Sequence, residues 1–133
     1  MTISDSAAQA LAGRILGAAS AGISMAPITG DEPSFDLLDA YRVAAEVIER
    51  RMARGERPVG WKIGFTNRTI WDEYGVHAPI WGPMYDSTLA HIRPGPEPAL
   101  VDLGGLLEPR IEPEIVLRIS ARPTPDMDAR ALL

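Results

Sequence analysis

Apolar residues in the first third of the chain recur at helical spacing. Residues 6–9 read as a capping box with Ser6 as the cap, and Gly22 is a stop signal. Between them, the first predicted helix has a four-residue apolar stripe: Ala8, Leu11, Ile15 and Ala19. A second helix is predicted to begin near Ser34 and to end at Gly55 and Pro58. Its apolar stripe is Leu38, Tyr41, Ala45, Ile48 and Met52.

After Pro58 the period changes to two, which predicts a strand. Its apolar side carries Val59, Trp61, Ile63 and Phe65. A short helix is predicted over 67–74, with Thr66 or Asn67 as its cap. Nine of the 12 prolines lie between positions 79 and 125, so short strands and turns are expected there, with strands over 84–92 and 114–120. Helices followed by strands predict an α+β fold.

Composition narrows the class of protein. The 133 residues are enough for one domain or part of one, and we treat 1–133 as a single unit, with helices over about 6–54 and strands and loops over about 58–120. A net charge of −5 argues against nucleic acid and anionic membranes as partners. The absence of cysteine excludes disulfides and thiolate chemistry, as is typical of a cytoplasmic protein. Neither a signal peptide nor a membrane span is predicted.

Two carboxylates stand at the head of the strand predicted over 114–120. Because strand side chains alternate, Glu112 and Glu114 are expected on one face, with Cα atoms about 7 Å apart. Such a pair is costly without a positive charge, and Mg²⁺ or Mn²⁺ suits carboxylate oxygens. The alternative is a solvated strand edge with Arg110 or Arg118 as the counter-charge.

Lys62 is the second candidate residue. Its neighbours on the same face of the predicted strand are Gly60 and Gly64, so its ammonium projects into space that a ligand could fill. There it could bind a substrate carboxylate or a developing oxyanion. The alternative is a lysine whose stem lies along the sheet edge while its charge stays in water. Thr66 leads into a predicted helix start, where backbone N–H groups can hold an anion, although ordinary capping explains it equally well.

Three separated motifs resemble those of the 2-keto-4-pentenoate hydratase family. They are 60–67 (GWKIGFTN), 75–76 (GV) with 79–82 (PIWG), and 109–115 (PRIEPEI), in the same order and with similar spacing. That family includes 4-oxalocrotonate decarboxylases and belongs to the fumarylacetoacetate hydrolase superfamily. The resemblance covers the chain to about residue 120.

The resemblance implies a mixed β-roll preceded by N-terminal helices, of which this chain would be a truncated N-terminal half. It implies Glu112 and Glu114 as ligands of Mg²⁺ or Mn²⁺, and Lys62 as the active-site lysine. The implied reaction is hydration of 2-hydroxypenta-2,4-dienoate to 4-hydroxy-2-oxopentanoate in the breakdown of aromatic compounds. Decarboxylation of a 2-oxo acid would use the same electron sink. The complete protein would be a homo-oligomer.

Two departures from the family pattern are visible. Ile80 stands where many hydratases carry an acid/base aspartate, and nearby Asp86 is the candidate substitute. Asp86 and Thr66 are also the candidate substrate-binding residues. Family members are also about twice as long and take a third metal-ligand carboxylate from beyond the matched region. Two hypotheses follow, namely part of a metal-dependent lyase or a non-catalytic remnant that still associates with relatives. An unrelated binding module would need three motifs to match by chance.

Overall fold

The computed structural model describes residues 2–119 and 122–132, and within them five α-helices and two β-strands. In chain order these are α1 (Asp5–Ala21), α2 (Ile28–Asp31), α3 (Leu37–Ala53), β1 (Pro58–Gly64), α4 (Trp71–Tyr74), β2 (Ile80–Tyr85) and α5 (Ala129–Leu132). Helices followed by a small antiparallel sheet confirm the α+β class. The larger β-roll stays a prediction. In the described ranges, none of the helices combines the length and hydropathy needed to cross a bilayer.

Helices α1 and α3 pack together and enclose the core. Ala8, Leu11 and Ala12 of α1 are buried against Val43 of α3, which is only 2% exposed. Partly buried apolar side chains surround this cluster: Ile3, Ile15, Ile28, Phe35 and Val47. Burial of these groups supplies the main favourable free energy for the helical part of the fold.

A buried carboxylate fixes the start of α3 to the beginning of the chain. Asp39 is 1% exposed, and its Oδ1 accepts a hydrogen bond from the backbone N–H of Ile3 at 2.9 Å. Asp36 is the N-cap of α3, and its side chain accepts from the Asp39 N–H at 2.9 Å. Asp39 Oδ2 accepts in return from the Asp36 N–H at 3.5 Å, which completes a capping box. These backbone donors explain why a carboxylate is tolerated in the core.

The cap of α1 is Ser4, so the prediction of Ser6 was wrong. Ser4 has extended backbone angles, which place its hydroxyl within 3.2 Å of the Ala7 N–H that it caps. Ser6 lies inside the first turn, where its backbone is already helical and cannot cap. The predicted stop is confirmed, because Gly22 adopts the left-handed conformation with φ of 64°.

The apolar stripe predicted for α3 does not face the core. Leu38 and Met52 are 70% and 53% exposed, whereas Val43 and Asp39 are buried. The helix turns this other side inward because α1 packs there and because Asp39 receives the backbone donors of the N-terminal segment. From the predicted stripe, Tyr41 stacks on Trp81 of the sheet, with ring centroids 4.9 Å apart.

Strands β1 and β2 form an antiparallel hairpin, and the predicted β1 is confirmed. Its register pairs Lys62 with Gly82 and Ile63 with Trp81, with an irregularity between Pro58 and Gly60. The apolar side of β1 is only partly covered within the described chain, since Val59, Trp61 and Ile63 are 50–59% exposed. Exposed apolar side chains grouped on one face are typical of a contact surface.

The two later strands were predicted incorrectly. Instead of a strand over 84–92, β2 begins at Ile80 and ends at Tyr85, and a 3-10 turn follows at Asp86–Thr88. The strand stops there because Asp86 accepts hydrogen bonds from Arg57, the residue directly before β1. Residues 114–119 do not form a strand, because no other strand in the described ranges pairs with this segment. Ile115 is accordingly 91% exposed. Position 120 lies outside the described residues.

Ionic contacts join the end of α3 to the end of the hairpin. The Arg51 guanidinium lies 3.8 Å above the ring of buried Tyr85 and donates to both oxygens of Glu56, with Nε 3.1 Å from each. Ser87 also donates to Glu56, and Asp86 pairs with Arg57 at 2.9 Å. Hydrogen bonds from Arg51 and then Ser87 lower the pKa of Glu56 below its ordinary 4.5. Hydrogen bonds from Arg57 lower the pKa of Asp86 below 3.8.

We expect this junction to weaken in acid. A carboxyl whose pKa is lower in the folded state stabilises that state above its ordinary pKa, and this contribution is lost as the pH falls through the folded value. Glu56→Gln should therefore reduce stability at neutral pH, and the difference from the unchanged chain should shrink below pH 4.5. Urea-unfolding midpoints of the two proteins, at neutral pH and below pH 4.5, measure this difference. A difference between the midpoints that is the same at both pH values would contradict the prediction.

Candidate functional site

Lys62 lies in β1, and its nearest neighbours on the same face of the hairpin are three glycines, while Ile80 and Met84 are the other side chains of β2 on that face. Gly60 and Gly64 are its neighbours two residues away, and Gly82 lies opposite it on β2. A methyl group added at Gly60 or Gly82 would meet no described atom within 4 Å. The space above this part of the sheet is therefore open, and the Lys62 side chain, which is 41% exposed, reaches into it.

The structure brings Glu112 and Glu114 to Lys62 from far along the chain. Lys62 Nζ donates to Glu114 Oε1, 52 residues away, and lies 3.2 Å from Glu112 Oε2. Hydrogen bonds from Lys62 to Glu114 and then to Glu112 raise the pKa of the ammonium above its ordinary 10.5. All three side chains keep contact with solvent, since Glu112 and Glu114 are 66% and 45% exposed. The contacts thus form an open, half-exposed cluster of one amine and two acids.

This cluster can hold one small cation between its carboxylates. The two glutamate oxygens approach the same ammonium nitrogen, so a single ion could contact both. The sequence predicted that a shared strand face would bring the two acids together. The structure brings them together without one, because residues 111–119 lie outside the sheet. Within the described residues, no group of three or more acidic or histidine side chains is placed to hold a metal. The chain thus offers two carboxylates for such an ion.

Thr66 follows the strand that carries Lys62. It is exposed, and it comes directly after Phe65, which has a φ of 56°. The cap of the following 3-10 turn is Asn67, whose Oδ1 accepts from the Thr69 N–H at 3.1 Å. The predicted short helix and its cap are confirmed, while substrate binding by Thr66 stays a prediction.

Asp86 directly follows β2 and begins the 3-10 turn after it. Its two oxygens accept from the backbone N–H and the Nε of Arg57, both at 2.9 Å. These contacts explain its position structurally, and its lowered pKa disfavours a proton-donating role at neutral pH. A substrate-binding role for Asp86 stays a prediction.

Gly82 is the site feature that sequence reasoning missed. The strand predicted over 84–92 leaves it out, whereas it lies in β2 opposite Lys62. The signal was available in the sequence: Ile80, Gly82 and Met84 alternate with Trp81, Pro83 and Tyr85. The prolines at 79 and 83 hid this alternation.

Comparisons with known proteins give relatives of two named activities. The chain is 35% identical over 98 residues to a 2-hydroxyhexa-2,4-dienoate hydratase of Comamonas testosteroni, covering 72% of this chain and 35% of that one. It is 32% identical over 113 residues to a 2-keto-4-pentenoate hydratase of Burkholderia vietnamiensis, covering 85% and 41%. No protein-family model matches the chain.

A solved structure is similar in fold and sequence. The 4-oxalocrotonate decarboxylase of Pseudomonas putida, in complexes with calcium and acetate and with magnesium and adipate, has a TM-score of 0.62 and 34% identity to this chain. The match covers 65% of this chain and 33% of the decarboxylase. The chain thus spans between a third and about two-fifths of the length of these relatives.

Proposed function

Because the chain belongs to the 2-keto-4-pentenoate hydratase and 4-oxalocrotonate decarboxylase family, we propose that it supplies part of the active site of a metal-dependent lyase. The proposed reaction is hydration of 2-hydroxypenta-2,4-dienoate to 4-hydroxy-2-oxopentanoate. The observation that carries this proposal is the meeting of Lys62 with Glu112 and Glu114 over the three glycines of the hairpin. The proposed class of ligand is a small 2-oxo or 2-hydroxydienoate acid.

The proposed cofactor is Mg²⁺ or Mn²⁺, held by Glu112 and Glu114. The donor set fits a hard divalent ion, because both ligands are carboxylates and both oxygens approach one point. Calcium and magnesium complexes of the similar decarboxylase support a divalent ion. When bound, such an ion would polarise the keto oxygen of a 2-oxo acid as a Lewis acid.

Lys62 is proposed to bind and orient the acid. Its ammonium can donate to the carboxylate of the ligand, and it can stabilise negative charge that develops on a neighbouring oxygen. The glycines beside it leave space for a planar dienoate to lie against the sheet. Ile80 carries no exchangeable proton, so we assign it no acid/base role.

Decarboxylation is the second candidate function. Its support is specific, since the similar solved structure is a decarboxylase at 34% identity. Homo-oligomeric assembly and a cytoplasmic location are part of the proposal for the complete enzyme.

A chimera tests the proposed function. Residues 1–119 would replace the matching segment of the Burkholderia vietnamiensis hydratase. We expect metal-dependent loss of the dienol absorbance of 2-hydroxypenta-2,4-dienoate, and little or no turnover by the 133-residue chain alone. Release of CO₂ from 4-oxalocrotonate would favour the decarboxylase. A folded chimera that turns over neither substrate would contradict the proposal.

A further inference from the structure

The Lys62 ammonium occupies the position where a cation bound by Glu112 and Glu114 would lie. An ammonium has three N–H donors. One donates to Glu114 Oε1 and a second is directed at Glu112 Oε2, 3.2 Å away. At most one donor is then left for an acid ligand. In this arrangement Lys62 neutralises the two glutamates, and it is poorly prepared to bind a second carboxylate.

Lys62 is the cation that the fold selects for this pair. Arg110 is nearer in sequence, but its guanidinium lies 3.9 Å from Glu108 instead. Among the described residues, Lys62 is the basic side chain within 4.0 Å of either Glu112 or Glu114. The three glycines around it, at 60, 64 and 82, leave its flexible stem room to move away.

We propose that Lys62 and a divalent cation bind the Glu112–Glu114 pair in turn, and that entry of the cation releases the ammonium to receive the carboxylate of the acid ligand. This inference rests on the proposed function, because it takes Glu112 and Glu114 as metal ligands. The same glutamate oxygens cannot face both cations at close range, and two positive charges a few ångströms apart repel each other. Lys62 thereby acts as an internal counter-ion before the metal binds and as an acid-binding group afterwards.

Metal binding should therefore precede and assist acid binding. Before the cation enters, the ammonium is held by two carboxylates, and an incoming acid would add a third negative charge to the cluster. After the cation enters, the glutamates are neutralised by it and the ammonium is available. The acid ligand then gains a contact with Lys62 as well as any contact with the metal.

The sequence makes this exchange directly measurable, because Lys62 is the single lysine of the chain. Lysine labelled with ¹⁵N at Nζ gives one side-chain NMR signal, which we expect to shift on addition of saturating Mg²⁺. In parallel, Mn²⁺ affinity is measured by calorimetry for the unchanged chain and for Lys62→Met. The variant should bind Mn²⁺ about 3- to 10-fold more tightly, because the competing charge is removed. Arg57→Met is the matched control. It changes the net charge by the same amount, but the arginine that it removes pairs with Asp86 instead of Glu112 and Glu114.

The outcomes separate this inference from the proposed function. If the unchanged chain binds Mn²⁺ as tightly as Lys62→Met, or more tightly, and the lysine signal does not move with Mg²⁺, the exchange is overturned while the metal-ligand roles stand. If neither protein binds Mn²⁺, or if Glu114→Gln binds it as well as the unchanged chain, both proposals fail. If Lys62→Met loses its helical circular dichroism, the lysine signal decides whether the exchange occurs. The exchange predicts a Mg²⁺-induced shift of this signal in the unchanged chain and no shift in Glu114→Gln.

Discussion

Glu114→Gln is expected to lower the metal-dependent turnover of the chimera by about 100-fold or more. Glutamine keeps the size of the side chain but removes the charge, and a hard divalent ion binds a neutral amide oxygen far less well than a carboxylate. The change also removes the contact from Lys62 to Glu114. Initial rates of dienol loss at saturating Mg²⁺ or Mn²⁺ measure the effect, and Lys62→Met should lower the rate comparably.

Glu108→Gln is the matched control for this loss. Glu108 lies in the same part of the chain outside the sheet, its side chain is 86% exposed, and its contact is with Arg110 rather than Lys62. It should retain most of the activity, because a solvated carboxylate outside the cluster contributes little. Equal losses in the Glu108 and Glu114 variants would refute the site assignment, since they would point to a general effect of charge.

The second large effect concerns stability. Val43→Ala should lower the free energy of unfolding by roughly 2 kcal/mol, because it removes two methyl groups from the contact between α1 and α3. Val43 is 2% exposed and packs against the buried side chains of α1, so the cavity it leaves cannot fill with water favourably. Urea unfolding, followed by the loss of the helical circular dichroism signal, measures this change in free energy.

Leu38→Ala on the same helix provides the comparison. Leu38 is 70% exposed, although the hydrophobic pattern places it in the apolar stripe. Its truncation should change the free energy of unfolding by less than about 0.5 kcal/mol. A larger loss for Leu38→Ala than for Val43→Ala would mean that the helix presents its other side to the core.

Local signals predicted the elements of this chain well. Gly22 ends α1, Asn67 caps the short helical turn, and the alternation around Lys62 marks β1. Each of these depends on neighbouring residues alone, through a left-handed glycine, a capping side chain or a strand period. Two errors were local, namely the cap of α1 and the alternation of β2 that its prolines hid. The others came where distant parts of the chain decide the structure.

The side of α3 that faces the core is one such case. Its sequence carries apolar residues on two sides, and burial of Asp39 depends on a hydrogen bond from Ile3, 36 residues away. A pattern within one helix cannot reveal that donor. The strand predicted over 114–120 is absent over 114–119 for a related reason, because a strand needs a partner for its backbone groups.

The candidate site was predicted from residue type and family resemblance more than from geometry. Lys62, Glu112 and Glu114 were identified separately, and the expected shared strand face for the two acids is absent. Their meeting depends on the return of residues 112–114 to β1, which no local pattern encodes. Gly82 was missed because the prolines at 79 and 83 hid the alternation of β2, and its place beside Lys62 depends on the pairing of β1 with β2.

The most direct test of the central claim is the effect of Mn²⁺ on the NMR signal of the single lysine. Mn²⁺ is paramagnetic, so an ion held by Glu112 and Glu114 should broaden the Lys62 side-chain signal beyond detection. The signal should persist at the same Mn²⁺ concentration when both glutamates are changed to glutamine. A Lys62 signal that survives saturating Mn²⁺, or that disappears equally in the double variant, would contradict a shared site for this amine and these acids.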